Sequence, residues 1–168
     1  MRSLLMLRHA KSDWHIDYGG EDLQRPLARR GRKAATTVGR FLTLSGQVPN
    51  LALSSPALRA RQTLTRALGE ARSECPIEVH KGLYGSVDDV LEVIARFGGE
   101  ADVLLIVGHE PTWSSVASLL SGGSQFRLPT GSVLRLDFET SSWTELPHTG
   151  RVQWLVTPRL LRDISRAP

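Results

Sequence analysis

Two histidines and two arginines of this chain lie directly after apolar runs, where their side chains could act together on a phosphoryl group. Arg8 and His9 follow the run at residues 3–7, Arg59 comes shortly after LALSS, and His109 follows DVLLIVG. Guanidinium groups are planar and permanently charged, and each matches two oxygens of a phosphoryl group. A neutral imidazole can attack phosphorus in line, so this set of residues predicts phosphoryl transfer.

The two imidazoles are predicted to have different roles in that transfer. His9 is the predicted nucleophile, because the nearby arginines disfavour its protonation and keep one ring nitrogen free near neutral pH. His109 is predicted to donate a hydrogen bond, or positive charge, to the equatorial oxygens as negative charge spreads over them. Ser54 and Ser55 are predicted to cap a helix rather than act as nucleophiles, because no Gly-x-Ser-x-Gly turn surrounds them.

Other ways of acting on phosphate fit the sequence less well. The chain contains no glycine-rich loop that ends in Lys-Ser or Lys-Thr, which excludes a P-loop nucleotide triphosphatase. Cys75 is followed six positions later by Lys81 rather than by arginine, so a cysteine nucleophile is disfavoured. The two histidines could instead hold a metal together with Glu110. Two nearby arginines would repel that cation, and we therefore predict a site that needs no metal and no cofactor.

Length, composition and charge exclude several classes of protein. At 168 residues the chain is predicted to form a single domain, residues 1–168, and its 40% hydrophobic and 23% charged residues are ordinary for globular proteins. Cys75 is the single cysteine, so no disulfide forms within the chain, and a cytoplasmic location is predicted. The formal net charge is +4, but the basic runs lack interleaved aromatic residues and are interpreted as solvated helix faces. Neither a nucleic-acid partner nor a membrane span is predicted.

Short strands alternate with helices along the first two thirds of the chain. Apolar residues at helical spacing, closed by Gly46, predict a helix over about residues 28–44, and three later segments repeat this spacing. The last third contains two alternating strands, SVLRLDFET and RVQWLVTP. The predicted fold is an α/β three-layer sandwich, with a mostly parallel central sheet, helices on both faces and a C-terminal edge hairpin. Because the carboxyl ends of parallel strands meet at one edge, the two histidines and two arginines are expected in one pocket.

Four motifs, in order along the chain, closely resemble the histidine phosphatase superfamily: LRHAKSDW, RPLARRG, SSPALRARQT and VGHEPTW. The short length and the RHAKSDW and RPL forms are similar to its phosphohistidine phosphatase branch, the SixA type, which has a phosphoglycerate mutase-like fold. The resemblance covers residues 4 to about 132. It implies that His9 accepts the phosphoryl group, that Arg8 and Arg59 clamp it, and that His109 completes the pocket.

The resemblance also assigns residues around the phosphoryl group. It implies that Ser12 lines the phosphate site and that Thr130 and Gly131 approach it. Glu110 is assigned as a substrate-binding residue, either as an acid or as a partner of a pocket arginine. Larger relatives place a carboxylate before the third helix to protonate an alkoxide leaving group, and HKGLYGSVDDV has no obvious match there. The proton donor is therefore unassigned.

The lack of an assigned proton donor affects which substrate is predicted. A phosphoramidate that leaves as imidazole depends less on a proton donor than an alcohol does, so phosphohistidine on a protein is the favoured substrate. A small phosphorylated molecule, cleaved by a phosphomonoesterase of the same superfamily, is the alternative, and a phosphoprotein-binding module without turnover is a third. The chain has no insert long enough for a lid, which favours a protein partner, and no long apolar seam, which predicts a monomer.

Four further residues near the motifs are assigned by position. Asp22 and Arg25 are predicted to order the loop that follows the first strand. Trp14 and Trp113 each come shortly after a motif. Each of these two indoles is expected either to form a wall of the pocket or to pack beneath it.

Overall fold

In the part of the chain that the structure describes, six strands form one mixed sheet, and five helices pack around it. The computed structural model describes residues 1–15, 19–144, 146 and 149–166. In chain order the elements are β1 Arg2–Arg8, α1 Arg29–Leu44, β2 Leu51–Ser54, α2 Leu58–Ala71, β3 Ile77–Val79, α3 Val87–Phe97, β4 Val103–Gly108, α4 Thr112–Leu120, β5 Val133–Phe138, β6 Arg151–Val156 and α5 Pro158–Ile164. Two short 3-10 helices, Asp22–Gln24 and Lys81–Tyr84, lie between them. The predicted helix over residues 28–44 is thus confirmed to within one residue.

The strand order across the sheet is β3-β2-β4-β1-β5-β6. The first four of these strands run parallel, whereas β5 is antiparallel to β1 and β6 is antiparallel to β5. The predicted mostly parallel sheet with a C-terminal edge hairpin is therefore confirmed. In the register between β1 and β4, Arg8 lies opposite Gly108, so the residues that follow, His9 and His109, leave the sheet side by side.

Alternate residues of β1 enter separate cores on the two faces of the sheet. Leu4 and Met6 belong to one cluster, which also contains the apolar residues of α3 and α4. Leu5 and Leu7 belong to the other cluster, with the apolar residues of α1 and α2. All four side chains are fully buried, and each contributes roughly 1.5–3 kcal/mol relative to an exposed position. Burial on both faces explains why the first strand is an unbroken apolar run.

The third strand is the least regular part of the sheet. β3 contains only three residues, all of them exposed, and the segment after it forms the 3-10 helix Lys81–Tyr84. This turn brings Tyr84 towards the end of β4, where His109 lies, with the two ring centroids 4.8 Å apart. Among the described residues, no helix combines the length and the apolar character needed to cross a membrane.

Candidate active site

A cavity of about 470 Å³ opens at the carboxyl ends of β1, β2 and β4. Seven of the eight residues predicted for the site line this cavity: Arg8, His9, Ser12, Arg59, His109, Glu110 and Thr130. Gly131 is not among the lining residues. Its backbone N–H donates to the carbonyl oxygens of Arg8 and His9, both at 3.1 Å, and its φ of +77° favours glycine in this turn. Gly131 therefore supports the backbone beneath the cavity.

The ring of His9 is held in one tautomer by the backbone. Its Nδ1 lies 2.8 Å from the carbonyl oxygen of Ala10, which can only accept, so Nδ1 carries the proton and Nε2 keeps a lone pair. The residue is 9% exposed. Burial lowers the pKa of His9 to about 4, and the charges of Arg59 and Arg8 add to this effect, although the hydrogen bond to Ala10 opposes it. At neutral pH the ring is a neutral, oriented base or nucleophile.

His109 is neutral as well, but its proton is on the other nitrogen. Arg59 Nη2 lies 3.4 Å from Nδ1 and can only donate, so Nε2 carries the proton and donates to Ser55 Oγ at 2.7 Å. The two imidazole centroids are 4.9 Å apart. The pKa of His109 is lowered to about 3, chiefly by burial and also by the charge that His9 would carry and that of Arg59, while Asp22 opposes the shift. Ser55, which sequence reasoning assigned as a cap, also accepts from the N–H of Ala57 and thus orients His109.

This arrangement determines when His109 can donate to a phosphoryl oxygen. In the free protein both ring nitrogens are engaged, one by Ser55 and one by Arg59. Donation from Nδ1 requires that this nitrogen gain a proton. A bound phosphoryl group brings negative charge next to the ring and favours the protonated form. Anion binding and protonation of His109 are therefore expected to be coupled.

Histidine titration followed by NMR tests these protonation states. We expect the rings of His9 and His109 to stay neutral at about pH 5.5, a full unit below the ordinary histidine pKa of about 6.5. Titration should occur only near about 4 for His9 and near about 3 for His109. Resonances are assigned by their loss in His9→Asn and His109→Gln. Addition of inorganic phosphate should raise the pKa of His109, and a midpoint near the ordinary value of 6.5 for either ring of the free protein would contradict these protonation states.

Two buried guanidinium nitrogens have no partner among the described residues, namely Nε of Arg8 and Nε of Arg59. Arg8 Nη1 donates to the carbonyl of Leu128 at 2.7 Å, which aims the side chain across the end of β1. Burial lowers the pKa of Arg8, and Glu110 counteracts this, yet a guanidinium stays protonated in proteins. A buried N–H without an acceptor is costly. Both arginines are therefore suited to an anion with several oxygens.

Arg59 is positioned by Asp22, a residue 37 positions earlier in the chain. Arg59 Nη1 donates to the carbonyl oxygen of Asp22 and Nη2 donates to its carboxylate, each at 2.7 Å. Arg25 and the hydroxyl of Tyr84 also donate to that carboxylate. Burial by itself raises the pKa of Asp22, but the hydrogen bonds from Arg25, Tyr84 and Arg59 lower it well below its usual range. The carboxylate is thus the common acceptor of three side chains around the cavity.

Sequence reasoning found part of this network. Asp22 and Arg25 were predicted to order the loop after β1, and Arg25 does so by donating to Ser12 Oγ as well. Tyr84 was missed. It lies in the segment searched for an acid, and only the turn after β3 brings its hydroxyl within 2.7 Å of Asp22.

Asp22→Asn is expected to lower kcat about tenfold, because the guanidinium of Arg59 loses the carboxylate that orients it. KM should not rise, because the cavity becomes more positive. Loss of a negative charge beside the phosphoryl site favours anion binding. The lower kcat would therefore come from poorer orientation of Arg59. Steady-state kinetics with an aryl phosphate measure both constants. Glu21→Gln, an exposed neighbour, is the control. An increase in KM with kcat unchanged would show that Asp22 does not position Arg59.

The two tryptophans have different positions. Trp14 is 59% exposed and lines the cavity, with the guanidinium carbon of Arg25 3.5 Å from its ring centroid. Trp113 is fully buried beneath the end of β4, where its ring packs against Gly108 so closely that a Cβ there would overlap it. Trp14 therefore forms a wall of the cavity, and Trp113 supports the turn that carries His109.

Glu110 is the one carboxylate among the described residues that line the cavity. Its carboxylate accepts from Ser114 Oγ at 2.6 Å and from the backbone N–H of Ser114 at 3.2 Å. These contacts satisfy the first turn of α4. They hold Glu110 at the rim, where its charge faces Arg8.

Comparison with known proteins shows which family and which solved structures the chain is similar to. Residues 4–85 match the family model for the histidine phosphatase superfamily (branch 1). An uncharacterized chloroplast protein of Arabidopsis thaliana is 30% identical over 172 residues, covering 94% of this chain and 78% of that protein. A structure from Agrobacterium tumefaciens, named as a phosphohistidine phosphatase SixA, has a TM-score of 0.76 at 27% identity, over 94% of this chain and 98% of that one.

A second solved structure shares the fold at lower identity. It is the protein histidine phosphatase SixA complexed with tungstate, with a TM-score of 0.80 and 22% identity over 95% of this chain and 99% of that one. The likeness thus extends over the whole sheet and its helices, and the phosphoglycerate mutase-like prediction of the fold is confirmed. On these matches, the chain belongs to the histidine phosphatase superfamily and is a phosphatase.

Proposed function

We propose that this protein removes phosphoryl groups from phosphohistidine on a protein, through a covalent intermediate on Nε2 of His9. The observation that carries the proposal is the state of His9: a buried, neutral imidazole whose Nδ1 is held by the carbonyl of Ala10, in a cavity lined by arginines. Binding of phosphate alone needs cations. It does not need an oriented lone pair, which is what a nucleophile requires.

The proposed reaction has two steps. In the first, Nε2 of His9 forms a bond to phosphorus as the bond from phosphorus to the substrate nitrogen breaks, and the bonding pair leaves on an imidazole that has taken a proton on its other nitrogen. In the second, a water oxygen attacks phosphorus, the bond to His9 breaks with its electron pair returning to Nε2, and inorganic phosphate leaves with the protons of the water. Arg8 and Arg59 hold the equatorial oxygens in both steps, and His109, once protonated, donates to them.

The charges of the cavity support chemistry without a metal. Arg8, Arg25, Arg59 and Lys11 all line it. Four cationic side chains raise the energy of a divalent cation in the same space and lower that of a phosphoryl group. The guanidinium groups take the place that a metal has in many other phosphoryl-transfer sites.

The preference for phosphohistidine rests on the proton donor. Glu110, the one described carboxylate on the cavity lining, is bound by Ser114. An alkoxide leaving group needs a proton in the transition state, whereas an imidazole can gain its proton from water before the bond breaks. The likeness to chains named as SixA phosphohistidine phosphatases supports the same substrate class.

The test compares substrates in the presence of a chelator. Wild-type protein is incubated with a histidine-phosphorylated protein and with an aryl phosphate, and phosphate release is followed from both. We expect release that resists the chelator, with kcat/KM for phosphohistidine at least about tenfold above that for the aryl ester. Loss of activity in chelator would contradict the metal-independent route. Faster turnover of a small sugar phosphate would favour a small-molecule phosphomonoesterase.

A further inference from the structure

A second cavity, the basic groove, adjoins the catalytic one. It has a volume of about 250 Å³ and lies between α1 and α5. Its cationic side chains are Lys11, Arg30, Arg159 and Arg162, and buried Ala34 lies at its base. Both helices pack against each other, so the groove is a fixed feature of the fold.

The basic groove is continuous with the catalytic cavity. Lys11 and Thr130 line both spaces. Lys11 lies two residues after His9 and is exposed. A partner whose phosphoryl group reaches His9 would therefore extend its neighbouring surface over Lys11 and towards α5.

The charges of the groove are poorly compensated within the protein. No described carboxylate lines it, and the one ion pair that its arginines make with described residues, Arg159 to Asp163, is 3.7 Å long with both side chains largely exposed. Arg30 is in the first turn of α1, which contains no acidic residue. Cations at the amino end of a helix are disfavoured by its dipole. The position of Arg30 is therefore unfavourable in the protein alone and becomes favourable beside an anion, whereas Arg162, in the last turn of α5, is favourably placed.

The form of the groove indicates what kind of anion it fits. The buried, unpartnered guanidinium nitrogens of the catalytic cavity have no counterpart among the described groove residues. Arg30 and Arg159 are exposed and project from different helices. Such dispersed charges match several separate carboxylates better than one compact phosphate.

We propose that the basic groove binds acidic side chains on the protein that carries the phosphohistidine, beside the phosphorylated residue. This inference rests on the proposed function and adds a specificity to it. The groove raises the affinity for substrates with acidic surroundings and steers their approach. It leaves the chemistry at His9 unchanged.

Three phosphohistidine peptides of equal length test the proposal, with aspartates, with serines or with lysines flanking the phosphohistidine. Wild-type protein should cleave the acidic peptide with a kcat/KM about tenfold above that of the basic one, mainly through KM, and salt should reduce the difference. In the charge-reversed double variant Arg30→Glu with Arg162→Glu, the order of the peptides should invert. Its activity on an aryl phosphate should stay within about twofold of wild type.

A matched variant distinguishes an effect of the basic groove from an effect of the protein's net charge. Arg66→Glu with Arg96→Glu makes the same change of charge on exposed sites of α2 and α3, far along each helix from the catalytic cavity. It should keep the wild-type order of peptides. Inversion in this control as well would show an effect of overall charge and overturn the proposal.

The remaining outcomes distinguish the two proposals. Equal cleavage of all three peptides by wild type would overturn the groove proposal and would not contradict the proposed function. If Arg30→Glu with Arg162→Glu lowers the cleavage of peptides and of aryl phosphate equally, the two arginines act at the phosphoryl group itself. This result would also overturn the groove proposal. If wild type cleaves the aryl phosphate and none of the peptides, the proposed function fails, and the groove proposal fails with it.

Discussion

His9→Ala is expected to lower phosphate release about 10³-fold or more, because the substitution removes the atom that bonds to phosphorus. The remaining cations would still bind the substrate, so KM should change much less than kcat. Rapid quench with a substrate labelled in its phosphoryl group measures turnover and, in wild type, the covalent intermediate. The bond that holds the label to the protein should be stable in alkali and labile in acid, because it joins phosphorus to nitrogen.

His80→Ala is the matched control for this experiment. His80 packs against Phe97, with ring centroids 3.9 Å apart, and does not line the catalytic cavity. Because its side chain is not part of the catalytic cavity, its substitution should leave phosphate release within about twofold of wild type. Turnover that survives His9→Ala at the wild-type rate, or labelled protein that His9→Ala still forms, would remove His9 from the mechanism.

Arg59→Ala is expected to lower kcat/KM about 10²-fold to 10³-fold, since a charge-assisted donor is lost at the position where negative charge accumulates. The variant also leaves the carboxylate of Asp22 without its Arg59 donor. Both changes make the cavity less favourable for an anion. Steady-state kinetics with an aryl phosphate, together with calorimetry using tungstate, measure catalysis and anion binding separately.

Arg59→Lys should recover only a small part of this loss. A lysine keeps the charge, but its donors sit on one nitrogen, whereas Arg59 contacts the carbonyl and the carboxylate of Asp22 through two separate nitrogens and leaves Nε unpartnered. Arg61→Ala, two residues later on the exposed side of α2, is the control and should behave as wild type. Full activity in Arg59→Lys would show that charge alone is needed at this position.

The two substitutions are expected to differ in anion binding. His9→Ala retains Arg8, Arg59 and the unpartnered Nε atoms of both, so tungstate should bind with nearly the wild-type affinity. Arg59→Ala should bind tungstate at least about tenfold more weakly. This contrast distinguishes the nucleophilic role of His9 from the anion-binding role of Arg59.

Local pattern was sufficient to predict the elements that carry the site. Residues 3–7 form an unbroken apolar run because β1 is covered on both faces, and Arg8 and His9 directly follow that run. The helical spacing over residues 28–44 gives α1 to within one residue. Strand ends that share one edge of a parallel sheet then bring His9, Arg59 and His109 to one cavity. The first two steps depend on residues close together in the chain, and the third follows from the general geometry of parallel sheets.

Contacts between distant segments decided the rest. Asp22, Arg59 and Tyr84 lie in three separate elements, so no local pattern indicates that one carboxylate accepts from both of the others. The periodicity of apolar residues reports which face of an element is buried, but not which residue of another element lies against it. The positions of the two tryptophans and of Gly131 were undecided, or differently expected, for the same reason.

The protonation states of the two histidines also required the tertiary structure. The sequence by itself determined that imidazoles and guanidiniums would meet at the end of the sheet. Which nitrogen of His9 keeps its lone pair depends on the carbonyl of Ala10, and which nitrogen of His109 does so depends on Arg59 and Ser55. A tautomer is selected by hydrogen-bond partners at distances near 3 Å. Ala10 is the next residue after His9, but Ser55 and Arg59 lie far from His109 in sequence, and only the packed chain brings them within such distances.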